Sequence, residues 1–124
     1  MNNYTKGKNE EEEWQKDKIS IADLPSDFIW MQVSAGSKIR NLLEAAWQKL
    51  DSLPHIVWSG SGAGVSKAIS CAEMTKKKFN LSQKTSICYR KVKEFWDPKL
   101  QNLDQLVVIR EIPAIHIYLY KESR

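Results

Sequence analysis

Hydrophobic and polar positions divide the chain into segments of two different periods. Between Ile39 and Leu50 the apolar residues recur at spacings of three and four, which predicts an amphipathic helix. A second stripe of the same period starts at Val65. From residue 84 the period changes to two, and a run over residues 106–120 also alternates, so both of these segments are predicted to be strands.

Each predicted helix follows a short apolar run that is suited to a buried strand. FIWMQV (28–33) precedes the first helix and HIVW (55–58) precedes the second. The resulting order is β-α-β-α-β-β, which predicts a compact two-layer α/β fold with a mixed four-stranded sheet and two helices. Ser37 is the predicted N-cap of the first helix. Pro113 predicts a bulge or a sheet edge in the last strand.

Both strand-to-helix turns carry cations where a negative ligand is favoured. The first β-α-β unit is expected to join parallel strands, which would bring the two turns to one edge of the sheet. Backbone N–H groups at a helix start bind anions, and the helix dipole disfavours an unpartnered cation there by about 0.3–1 kcal/mol. The sequence therefore predicts a surface that binds a phosphate backbone. Its candidate residues are Gly36, Ser37, Lys38, Arg40, Gly60, Gly62 and Lys67.

The last two strands are expected to form a long hairpin, with a connection of about a dozen residues, a length that is commonly functional. Arg90, Lys91 and Lys93 lie on the first of these strands and could carry a nucleic-acid-binding arm, with some of them facing solvent instead. Trp96 could stack on a base or cap the base of the hairpin, and both interpretations remain open.

Residues 1–25 have no period and carry the run Glu10–Glu13, so they are predicted to be a disordered acidic tail that ends at Pro25. This segment has six acidic residues and four lysines, whereas residues 26–124, the predicted folded domain, have fifteen lysines and arginines and nine acidic residues. A basic domain permits nucleic acid or an anionic membrane as its partner. The acidic run is interpreted as a solvating tail or as a shield over the basic surface.

Other chemistry receives little support from the sequence. The glycine loop reads GxGxG and not GxGxxG, so no nucleotide cofactor is expected. His55 and His116 have no paired acid, and neither metal binding nor catalysis is predicted. Cys71 and Cys88 lack CxxC spacing, which suggests an intracellular, reducing compartment. We expect no secretory leader and no membrane span, because the apolar runs are too short. Nucleic acid, and not a membrane, is the expected partner.

Three segments carry a resemblance to a known family: GSKIRNLLEAAWQKL, IVWSGSGAGVSKAISCAEM and IPAIHIYLY. Over about residues 26–121 the chain resembles the Alba family, and most closely the branch found as a protein subunit of eukaryotic ribonuclease P and ribonuclease MRP. The resemblance implies a β-α-β-α-β-β fold, dimers with itself or with a second Alba-type subunit, and binding to a stem of the catalytic RNA. It also implies a nuclear, and specifically nucleolar, location.

Within this resemblance Lys38 matches the family's loop lysine and Lys67 matches the lysine of its SKA motif. The chain departs from the family at Ala63, where an arginine is common, so no phosphate contact is expected from that position. Two further interpretations stay open: an interaction protein whose partner holds the nucleic acid, and a general DNA- or RNA-binding protein. Ala68 and Ala72 would permit close packing, either with a partner or with the chain's own sheet.

Overall fold

The computed structural model describes residues 4–101 and 103–122. Within them the chain forms two helices and five strands, with 3-10 turns at Lys16–Lys18 and Gly62–Gly64. The elements are β1 Tyr4–Glu11, β2 Ile29–Val33, α1 Ile39–Leu50, β3 His55–Ser61, α2 Val65–Phe79, β4 Ser82–Pro98 and β5 Leu106–Tyr120. The strand order is β1-β4-β5-β3-β2, so the sheet has five strands and not the four that the sequence predicted.

The chain divides into two compact units. The larger unit contains Gln15–Cys88 together with the chain from Pro113 onwards, and the smaller unit contains the chain up to Trp14 together with Tyr89–Ile112. Strands β4 and β5 contribute to both units. Both helices belong to the larger unit.

In the larger unit β2 and β3 are parallel, with Val33 opposite Gly60. This confirms the predicted β-α-β unit, in which α1 connects two parallel strands. Strand β3 pairs on its other side with β5 in the antiparallel sense, and this pairing begins at Ala114. Pro113 therefore stands just outside the paired stretch, where its missing N–H group removes no hydrogen bond to β3.

The core of the larger unit lies between the helices and the sheet. Helix α1 has the bounds that its apolar period predicted, because its stripe faces this core. Ala68 and Ala72 of α2 are fully buried in the same core, so they pack against the chain's own sheet. A second, smaller cluster contains Val57 of β3, whereas Ile56 and Trp58 belong to the main core, so β3 is buried on both faces. The main core is built from Ile29, Met31, Val33, Leu43, Ala46, Leu50, Ile56, Trp58, Ala68, Cys71, Ala72, Leu81, Ile115, Ile117 and Leu119.

Strand β1 pairs with β4 in the smaller unit, from Tyr4 opposite Pro98 to Glu11 opposite Val92. The sequence predicted a disordered tail over residues 1–25, and the structure differs: β1 is a strand, and Ile19 is buried in the larger unit. Residues 1–3 lie outside the described part of the chain. The difference has a physical cause. Strand β1 is mostly exposed, and it is held by backbone hydrogen bonds and charge pairing and not by buried apolar side chains. Its sequence therefore shows no apolar period.

Candidate nucleic-acid interface

The turn between β2 and α1 is closed by its own serines. The Ser34 N–H donates to Ser37 Oγ at 3.0 Å, and the Ser37 N–H donates to the Ser34 carbonyl at 3.1 Å. Ser37 was predicted to cap α1, but its hydroxyl is used inside the turn and Lys38 occupies the N-cap position without a side-chain bond to the helix. The first N–H groups of α1 therefore have no side-chain acceptor, which favours an anion at this point.

The turn between β3 and α2 is compact because its glycines have no Cβ, which lets neighbouring backbone segments lie close together. Gly62 has a φ of 54°, in the left-handed region, at the start of the 3-10 turn. A Cβ on Gly64 would lie 2.5 Å from the Val33 carbonyl oxygen, and one on Gly60 would lie 2.6 Å from the Gly64 carbonyl oxygen. The start of α2 thus rests directly against the end of β2.

Gly60 is placed differently from the sequence-based expectation. It belongs to strand β3, is buried, and lies against the Cβ of Ala68. A buried strand residue cannot touch a polyanion, so its small size serves helix packing. Gly36 is exposed at the neighbouring turn, and Gly62 is half-buried at the surface.

Lys67 connects the two turns. Its Nζ donates to the Ser37 carbonyl at 2.9 Å and also to the Ala35 carbonyl. Since Lys38 directly follows Ser37, the structure brings the two lysine-bearing turns together at one edge, as the parallel pairing of β2 and β3 predicts. Lys67 itself is half-buried, and its charge is directed at the carbonyl oxygens of the first turn.

Lys38 and Arg40 present their charges to solvent. Both side chains are exposed, and neither forms an ion pair or hydrogen bond with any residue that the structure describes. Two unpartnered cations at the open start of α1 can each contact a phosphate oxygen.

The other predicted cations lie in the smaller unit on β4. Arg90 is largely covered: it donates to the Glu11 carboxylate at 3.1 Å and to the Glu12 carbonyl at 2.6 Å, and its guanidinium lies 4.2 Å from the centroid of the Trp14 ring. Lys91 and Lys93 are exposed on the same strand. Trp96 is half-buried there, and its Nε1 has no hydrogen-bond partner among the described residues.

A Ser–His pair that the sequence did not reveal lies inside the larger unit. Ser59 Oγ and His116 Nδ1 are 2.6 Å apart, but both residues are buried and Trp30 Nε1 donates to the same hydroxyl at 2.8 Å. Burial excludes a substrate from this hydroxyl, so the group is a structural hydrogen-bond chain. Its three members come from β2, β3 and β5, and no sequence spacing connects them.

The described residues contain no group of three or more histidine, cysteine or carboxylate side chains that could hold a metal ion. Over the same part of the chain, neither helix has the length and apolar character needed to cross a bilayer. Neither Cys71 nor Cys88 is part of a disulfide, and burial raises the pKa of the Cys71 thiol, which keeps it protonated and unreactive.

The fold of the chain is also found in a solved structure. The chain has the fold of an Alba protein from Thermoplasma volcanium, with a TM-score of 0.57 and 19% sequence identity over 74% of this chain and 99% of that one. The molecule is therefore an α/β protein of the Alba-like class. The Alba family model matches residues 29–91, and the chain belongs to the Alba family.

Curated relatives with longer sequences match most of the chain. A ribonuclease P protein subunit p25-like protein from Bos taurus is 40% identical in an alignment 107 residues long, which covers 82% of this chain and 66% of that protein. The ribonuclease P protein subunit p25 of Rattus norvegicus is 34% identical in an alignment 116 residues long, which covers 83% of this chain and 58% of that protein. The chain thus spans somewhat less than two thirds of the length of these relatives.

Proposed function

We propose that this chain is a non-catalytic RNA-binding subunit of a ribonuclease P/MRP-type ribonucleoprotein, where it holds structured RNA by its phosphates and supports the processing of tRNA and rRNA precursors. The observation that carries the proposal is the joined pair of turns, in which Lys67 bonds the first turn while Lys38 and Arg40 remain exposed beside the start of α1. The names of the relatives support RNA, rather than DNA, as the ligand.

Recognition by this surface would depend on shape and charge. A-form helices display phosphates and 2′-hydroxyls across a shallow minor groove, and a cationic edge without base-reading side chains suits that surface. Lys91 and Lys93 of β4 are separate candidates for phosphate contacts within the smaller unit. A subunit of this kind would act in the nucleus, with the nucleolus as the specific expectation.

The test is the salt dependence of binding to an RNA hairpin, measured by filter binding between about 50 and 200 mM salt. Lys38→Ala should weaken binding and lower the slope of log K against log salt by about one, and adding Arg40→Ala should lower it again. Lys49→Ala removes the same charge from the opposite end of α1 and serves as the matched control. Equal effects of Lys38→Ala and Lys49→Ala would refute the proposed surface.

A second function, as a docking subunit for another Alba-type chain, is favoured by two apolar side chains on the exposed side of α2. Ile69 and Met74, which flank the polar residues of that side, are 41% and 48% exposed although both are large. The partner would be a second copy or a paralogous subunit. Light scattering of the purified chain and of Met74→Glu would test this: an oligomer that dissociates on substitution supports the docking face. RNA binding by a monomer would argue against it.

A further inference from the structure

We infer that Lys67 is a positioning residue, which acts on RNA through the first turn and does not itself contact phosphate. This inference rests on the proposed RNA-binding function and deepens it. Its Nζ already donates to the carbonyls of Ala35 and Ser37, thirty residues or more away in the chain, and the side chain is half-buried between the two turns. An ammonium group has three donors, so two are committed to protein acceptors.

Lys67 supplies the connection between the first turn and α2. The bonds between Ser34 and Ser37 close the turn from inside, but they do not reach α2. The lysine bonds fix the Ser37 carbonyl, the group immediately before Lys38. Because the Lys38 side chain is exposed and has no partner in the described chain, its direction depends on the backbone that Lys67 holds.

The assignment is tested by two measurements on Lys67→Met. This substitution keeps most of the length of the side chain but removes its charge and its hydrogen-bond donors. Amide hydrogen exchange without RNA should become faster over residues 34–38, whereas Lys77→Met, on the last turn of α2, should leave it unchanged. Lys67→Arg should restore part of the protection. Unchanged exchange in Lys67→Met would overturn the inference even if RNA binding were lost.

The second measurement adds Lys67→Met to Lys38→Ala and follows the salt slope of RNA binding. A positioning residue should leave the slope of Lys38→Ala as it is, because no further phosphate contact disappears. A direct phosphate ligand would lower the slope by about one more, and that result would overturn the inference. If the unaltered chain binds no RNA, the proposed function fails, and hydrogen exchange alone decides the role of Lys67.

A different set of contacts, confined to the smaller unit, carries a second inference: strand β1 is an intramolecular competitor of the polyanion for the cations of β4. In the antiparallel register Glu10 stands opposite Lys93. The Glu11 carboxylate binds Arg90, and the Glu12 carbonyl accepts a second bond from it. Three consecutive acidic residues thus line the same groove as Lys91 and Lys93.

This pairing is more specific than the general attraction of an acidic tail. The backbone of β1 is held by the strand register, and the Glu12 N–H donates to the Lys91 carbonyl at 2.9 Å. Trp14 then covers the Arg90 guanidinium. An RNA phosphate can reach Arg90 only when the Glu11 carboxylate leaves it, so the strand lowers the affinity of β4 for a polyanion until a ligand displaces it.

The test neutralises the acids and keeps the strand: Glu10→Gln, Glu11→Gln and Glu12→Gln in the full chain. RNA binding should tighten and its salt slope should steepen, since cations become available to phosphates. A control with the same charge change, Asp27→Asn, Asp51→Asn and Glu73→Gln, alters exposed acids of the larger unit. Equal effects of the two triple variants, or none in the first, would overturn the inference.

Hydrogen exchange gives an independent readout of displacement. The β1 amides of Asn9–Glu11 should lose protection when RNA is added to the unaltered chain, and retained protection would contradict competition. If the unaltered chain fails to bind RNA but the glutamine variant binds it, the result still supports the role of β1 as a competitor. Absence of binding by both proteins would overturn the competitor role together with the proposed function.

Discussion

Trp30 and Ser59 stand on the parallel strands β2 and β3, and the Trp30 indole N–H donates to the Ser59 hydroxyl at 2.8 Å. The same oxygen lies 2.6 Å from His116 Nδ1, and the tautomer of the imidazole sets which of these two atoms donates. This chain of bonds connects three side chains. It also joins β2, β3 and β5 directly below the turn into α2.

Ser59→Ala should destabilise the fold. The substitution leaves the Trp30 N–H and the His116 Nδ1 without their shared partner, and an unsatisfied buried group costs about 1–3 kcal/mol. Urea unfolding followed by tryptophan fluorescence measures the change. Ser70→Ala, an exposed serine of α2, is the control and should leave the midpoint nearly unchanged. Similar midpoints for the two variants would show that the chain of bonds contributes no stability.

The stability of the fold should depend on pH through His116. Burial lowers the pKa of this residue below its ordinary value of 6.5, so the folded protein keeps it neutral. The unfolded chain takes up a proton below about pH 6.5 while the folded chain does not. The free energy of unfolding therefore falls as the pH drops through that value, and it levels off below the folded-state pKa.

His116→Asn, which keeps an acceptor near the Nδ1 position, should make the free energy of unfolding less dependent on pH between about pH 7 and pH 5. Parallel urea titrations of both proteins across this range provide the comparison. His55→Asn should leave the contribution of His116 in place, since His55 bonds separately to the Tyr118 hydroxyl. An identical pH profile in His116→Asn and the unaltered protein would refute the role of His116.

Gly60→Ala should destabilise the protein by about 1–3 kcal/mol, the usual range for an overpacked core. The added Cβ would lie 2.6 Å from the Gly64 carbonyl oxygen and 2.9 Å from the Ala68 Cβ, so α2 must move away from β3. Gly36→Ala is the matched control, because its Cβ would meet nothing within 4 Å. Thermal unfolding monitored by circular dichroism should separate the two, and equal midpoints would contradict the close approach.

Thr75→Val should loosen the contact between the helices. Trp47 Nε1 donates to Thr75 Oγ1 at 3.1 Å, and the same hydroxyl donates to the Cys71 carbonyl at 2.8 Å. Valine keeps the shape and leaves the indole N–H unpaired, at a cost of about 1–3 kcal/mol in unfolding free energy. In Trp47→Phe the same Thr75 substitution should cost less, and a double-mutant cycle measures that coupling.

Much of the larger unit could be predicted from the sequence because its signals are local. The stripe from Ile39 to Leu50 has one period and one buried face, so the bounds of α1 follow from it. Parallel pairing of β2 and β3 follows from the β-α-β order. The adjacency of the two turns is a consequence of that pairing, and it needed no knowledge of the side chains.

The parts that escaped prediction depend on partners that are distant in sequence or on the backbone. Strand β1 has few buried side chains, and its register is set by β4 more than eighty residues later. Ser37 has the residue type of an N-cap, but the Ser34 N–H competes for its hydroxyl. Gly60 fits a loop pattern by its spacing, and only its pairing with Val33 and Ile115 shows that it belongs to a strand.

Lys67 makes the lengths of two segments interdependent. Its bonds reach the carbonyls of Ala35 and Ser37, so an insertion or deletion in the turn before α1 would shift both acceptors away from the start of α2. We conclude that the side chains of these two turns can be changed, but that the length of one turn cannot be changed without changing the other. An epitope or fluorophore should accordingly be grafted elsewhere on the chain.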